Sequence, residues 1–91
     1  MKEKIDVLLK TLGNAFAGGS VEYKHAESRH TILLTVPGAT HRVDFSEEVV
    51  AAKDAGHLNR LSKQVAAHLQ HSPAGKPKHL AVKIDGIHEE F

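Results

Sequence analysis

The chain has 91 residues, 41% of them apolar, and sets 12 Lys and Arg against 11 Asp and Glu for a formal charge of +1. That length sustains a single domain, 1–91, with a core modest enough that a homodimer would add to it. The balanced charge speaks against a strongly basic nucleic-acid binder, and the lack of cysteine excludes disulfide frameworks and thiolate zinc sites.

The first helix is expected over 3–16. Ile5, Leu8, Leu9, Leu12 and Phe16 recur at helical spacing on one stripe, and Gly18-Gly19 stops it. The segment has early lysines and a small-residue end, as a secretory leader does. Asp6 and Lys10, however, leave Val7-Leu8-Leu9 as its longest apolar run. A leader needs about 7–15 apolar residues and a membrane span about 20. The expectation is therefore a cytoplasmic protein with no membrane contact.

Three strands follow, over 20–26, 29–36 and 39–45. Each alternates with period two and is rich in β-branched residues, and "AES" and "PGAT" between them supply turn chemistry. With even-length loops, Val21, Tyr23, His25, Ile32, Leu34, His41, Val43 and Phe45 share one apolar face. The other face reads Glu22, Lys24, Thr31, Thr35, Thr40, Arg42 and Asp44, with Leu33 its one large apolar residue. A two-residue loop, Glu27-Ser28, would set His25 opposite His30.

Ser46 then caps a helix whose first residues, Glu47 and Glu48, suit the positive end of its dipole. One helix from 47 to 71 would place Glu47 and Asp54 in the apolar stripe, so two helices are expected, 46–54 and 55–71, with Asp54 capping the second. Leu58, Leu61, Val65 and Leu69 form its core face. Pro73, Gly75 and Pro77 hold a connector, "HLAVKID" gives a strand over 79–85, and 86–91 reads as a short tail whose Ile87 and Phe91 pack back. The predicted fold class is α+β: a two-layer sandwich of order α-β-β-β-α(α)-β, with a mainly antiparallel four-stranded sheet and helices on one face.

Eight histidines in 91 residues are the compositional anomaly. His68 and His71 are three apart on a helix and His79 follows a turn, but HxxH lacks the intervening Glu of a metalloprotease motif and no cysteine or nearby aspartate completes a shell. No metal and no cofactor is expected. On the helical wheel His57, Arg60, Gln64, His68 and His71 line one flank beside the apolar stripe, a composition that suits the polar rim of an interface. Lys76 and Lys78 sit in a connector that follows a helix C-terminus, the unfavourable end for an anion. Lys24, Arg29, Arg42 and Lys83 on the polar sheet face could touch phosphates, yet that face carries no aromatic on which bases stack.

No nucleophile elbow or comparable catalytic frame is present. "ILLTVPGATH" followed by "LNRLSKQVAAHL", on an α-β-β-β-α order, resembles HicA-type toxins, which share that order with double-stranded-RNA-binding domains. The resemblance implies a His-dependent ribonuclease with His25 and His30 as catalytic residues. The toxin's Gly-Ser-His run is replaced here by "AESRH", and the "SKK" that opens a helix of the RNA-binding module by a mid-helix "SKQ". The residues themselves read first as a small non-enzymatic module that binds another macromolecule, a protein, through His57, Arg60, Gln64, His68 and His71; the ribonuclease comes second and a nucleic-acid binder third.

Overall fold

The computed structural model describes residues 2–90 apart from 17, 27 and 72–75. In chain order the elements are α1 (Lys2–Ala15), β1 (Ser20–Ala26), β2 (Arg29–Val36), β3 (Ala39–Ser46), α2 (Glu47–Ala52), α3 (Ala55–Gln70), β4 (His79–Lys83) and β5 (Gly86–Glu90). The connector over 72–75 and the expected packing of Phe91 lie outside the described residues. No helix among the described residues is long and apolar enough to cross a membrane.

The strands form one sheet of order β1-β2-β3-β4-β5. β1, β2 and β3 make an antiparallel meander, β3 and β4 are parallel, and β5 returns antiparallel to β4. The parallel pair follows from the α2–α3 crossover, which carries the chain back before β4 begins. The α+β class therefore stands, but among the described residues the sheet is mixed and has five strands rather than four. The expected tail over 86–91 contains the fifth strand. Its residues Gly86 to Glu90 are half-buried only at Gly86 and Ile87 and exposed thereafter. An edge strand with so little buried surface leaves no period-two signal in its sequence. The strand expected over 79–85 ends instead at Lys83, because Ile84 and Asp85 turn the hairpin and Gly86 takes φ 133°.

Alternation places Ile32, Leu34, Val43, Phe45, Leu80 and Val82 on the inner face, all buried. Against them pack Ile5, Leu8 and Leu12 of α1, Val49 and Val50 of α2, and Leu58, Val65, Ala66 and Leu69 of α3. Each fully buried Leu, Val, Ile or Phe contributes about 1.5–3 kcal/mol of transfer free energy. The core accordingly lies over β2, β3 and β4.

Local chemistry sets the helix ends. Ser46 accepts from the Val49 N–H and caps α2; Asp54 accepts from the His57 N–H at 2.8 Å and caps α3. The break between the two helices keeps Asp54 out of the core. The helices are then joined by polar contacts: Lys4 Nζ donates to the carbonyls of Val50 and Ala51 at the end of α2. Thr11 donates to Asn59 and Gln70 to the Ala15 carbonyl, so α1 and α3 lie side by side in the same direction. After α1, Gly18 takes φ 87°, and a Cβ on Gly19 would meet the Thr35 carbonyl at 2.6 Å. Only glycine lets this turn pass so close to β2.

Candidate functional site

The turn between β1 and β2 brings His25 opposite His30. One strand further, His30 lies opposite Phe45 and Arg29 opposite Ser46, and the Glu47 N–H donates to the Ser28 carbonyl at 3.0 Å. That bond fixes the first residue of α2 against the β1–β2 turn, and the Glu47 side chain reaches the two histidines. The imidazoles of His25 and His30 stack with centroids 4.4 Å apart and planes within 4°. Glu47 Oε2 lies 3.2 Å from His25 Nε2 and 2.8 Å from His30 Nε2. On the far side of His30, the Tyr23 hydroxyl is 2.6 Å from Nδ1.

The burial of these groups is graded. His30 is fully buried, while the side chains of His25 and Glu47 are 54% and 38% exposed. Glu47 Oε2 stands 2.8 Å from His30 Nε2, yet this buried nitrogen makes no well-formed hydrogen bond. Burial pushes the His30 pKa below its ordinary value, with the Glu47 charge opposing and His25 adding to the fall. Burial, and then the Glu47 charge, raises that of Tyr23. Burial thus disfavours the charged form of His30, which lies between a phenol and a carboxylate.

A second polar cluster occupies the opposite face of the sheet. Asp44 is buried there, accepts from the Thr31 hydroxyl at 2.5 Å and from Arg42 Nε at 3.2 Å, and sits 2.6 Å from His79 Nε2. Burial pushes its carboxyl up, but the Thr31 and His79 hydrogen bonds and the Arg42 charge outweigh that and hold it below its usual range. A hollow of about 410 Å³ opens beside it, lined among others by Arg29, Ser46, His79, Lys83 and Glu90. A larger groove, about 790 Å³, runs along the seam of α1 and α3; Lys10, Thr11, Asn14, Asn59, Lys63 and Gln70 line it, with no carboxylate or imidazole among the described residues. It offers no acid–base pair.

The residues singled out from the sequence separate into three places. His25 and His30 come together, joined by Tyr23 from the apolar face of β1 and by Glu47 from the first turn of α2. His57, Arg60, Gln64, His68 and His71 stay together along one flank of α3, His57 half-buried and the others exposed. His79 does not join His68 and His71, because its ring turns to Asp44 on the face of the sheet away from the helices. Lys78 is not a free cation: its Nζ contacts Glu89 at 3.2 Å and the His68 carbonyl at 3.4 Å. One signal for Glu47 was present in the sequence, since extending the β2–β3 register by one residue beyond Ser46 brings it beside the β1–β2 turn. Asp44 carried no such signal, being one acid on an alternating polar face.

No protein family, curated protein or solved structure compared with the chain matches it.

Proposed function

We propose that the chain is a small, non-enzymatic module that binds a protein partner through the flank of α3 formed by His57, Arg60, Gln64, His68 and His71. The observation behind this reading is how the eight histidines divide. Five have an intramolecular partner at a ring nitrogen: His25 with Glu47, His30 with Tyr23, His41 with the Lys78 N–H, His79 with Asp44 and His88 with Asp85. Among the described residues, the three whose rings have none are His57, His68 and His71, all on this flank. Arg60 and Gln64 beside them also make no side-chain hydrogen bond there. Exposed donors and acceptors in a row on one helix face suit the polar rim of a protein interface.

A protein suits this row better than a nucleic acid, because Arg60 is its one permanent cation and phosphate recognition runs on permanent charge. The expected outcome of the Arg60→Ala/His68→Ala/His71→Ala variant is capture of the partner weakened at least ~tenfold, as loss of interface anchors does, with an unchanged melting temperature. Undiminished capture by the triple variant would overturn the reading. The salt dependence of that capture separates the nucleic-acid alternative, which requires a steep loss of affinity with salt.

The ribonuclease reading draws on one contact, that of His25 with Glu47 at a solvent-open position. A carboxylate beside an imidazole is a general acid–base pair. It requires growth arrest on expression that His25→Ala abolishes while the fold is kept, and cells growing normally with the intact protein exclude it.

A further inference from the structure

We infer that His25, His30 and Glu47 form a binding site for a single divalent transition ion of the Zn²⁺ class, with Tyr23 orienting His30 from behind. This inference is independent of the α3 flank. It begins from the one buried polar side-chain atom that, among the described residues, lacks a hydrogen-bond partner: Nε2 of His30. A buried imidazole nitrogen without a partner costs free energy that a bound ligand recovers. This nitrogen faces the only group among the described residues that brings three ligand-type side chains together, with one atom each from His25, His30 and Glu47 within 4.8 Å of one another.

Three features fit an ion. The separations are close to those of a coordination shell: tetrahedral bonds of about 2.0–2.1 Å put ligand atoms roughly 3.3 Å apart, and Glu47 Oε2 stands 3.2 and 2.8 Å from the two nitrogens. A small spreading admits the ion. The Tyr23 hydroxyl, 2.6 Å from Nδ1 of His30, can accept a proton held on that nitrogen and leave the Nε2 lone pair for the metal, as partners behind ligating histidines do. Full burial of His30 holds its ring in place by packing, so its Nε2 keeps one position relative to Glu47.

The stacked rings present parallel nitrogens, so ligation requires His25 to turn toward His30. Its exposed side chain is free to do so, whereas His30 is packed on all sides. The donor set chooses the ion class. Two imidazoles and one carboxylate suit Zn²⁺ and its neighbours, while Mg²⁺ and Ca²⁺ prefer oxygen ligands throughout. The exposed side of His25 and Glu47 leaves the fourth position to water.

The test is titration of the full chain with Zn²⁺ against a chromophoric chelator, with Co²⁺ as a spectroscopic substitute. The expected result is one saturable Zn²⁺ per chain and a visible Co²⁺ band, both lost in His25→Ala. Tyr23→Phe weakens binding at least ~tenfold, the usual effect of removing a partner behind a ligand. Glu47→Gln, which keeps the side-chain shape, weakens it as well and guards against a variant that fails to fold. Because His68 and His71 are exposed and could hold an ion between them, the His68→Ala/His71→Ala variant serves as the control and is expected to bind normally. The assignment is overturned by the absence of saturable binding, by binding that survives His25→Ala, or by binding that disappears in the α3 control.

Discussion

His41 shows how one titratable side chain on an apolar strand face couples the fold to pH. It is buried on β3, and its Nδ1 accepts the Lys78 N–H at 3.0 Å just ahead of β4. The next residue repeats the tie in the other direction, as the Arg42 N–H donates to the Lys78 carbonyl at 2.8 Å. Burial, and then the Lys78 charge, lowers the pKa of His41 below 6.5. A proton on Nδ1 would also remove the acceptor. The sign follows: below about pH 6.5 the unfolded chain takes up a proton that the folded chain refuses, so unfolding becomes easier as the pH falls. The melting temperature is expected to drop between pH 7.5 and 5.5. His41→Asn, whose amide oxygen can accept the same N–H without titrating, is expected to flatten that slope in thermal melts; an identical slope in both proteins refutes the assignment. At this scale the sequence was least informative. Alternation placed His41 and His30 inward, but what each ring meets depends on neighbours far along the chain, on Lys78 in one case and on Glu47 in the other.

At the scale of the elements, periodicity was enough wherever one face is buried and the other is wet. The α1 stripe, the inner face of the meander and the caps Ser46 and Asp54 all follow from residue spacing, because burial on a single face imposes that spacing. β5 did not, since its stability comes from pairing with β4 rather than from a buried face of its own. Glycines within elements allow a test of the same logic. Gly13 lies in α1, where a Cβ would meet only Val21 Cγ2 at 3.6 Å, an ordinary contact. Gly13→Ala is therefore expected to stabilise the protein by about 0.5–1 kcal/mol through helix propensity and a less flexible unfolded chain. Gly19→Ala meets backbone at 2.6 Å and is expected to cost about 1–3 kcal/mol, as overpacking does. Urea denaturation of the two variants measures both, and a loss of stability in Gly13→Ala would show that α1 has no room on that side.

For the whole molecule, the two layers divide the polar groups as well as the apolar ones. Histidines meet Glu47 at one end of the inner face, Asp44 gathers Thr31, Arg42 and His79 on the outer face, and the flank of α3 makes no side-chain hydrogen bond among the described residues. The class of architecture was readable because order and length leave few ways to cover one sheet with helices. The number of strands was not, because the last one adds almost nothing to the core. The parallel pairing of β3 with β4 has a kinetic meaning too. β1, β2 and β3 pair with sequence neighbours across tight turns, whereas β4 reaches β3 only after the whole of α2 and α3 has been threaded between them. Closing that long loop carries an entropy cost which the hairpins avoid. The meander is thus the part of the chain able to organise early, and the free edge of β3 stays open to other strands until the C-terminal hairpin arrives to cover it.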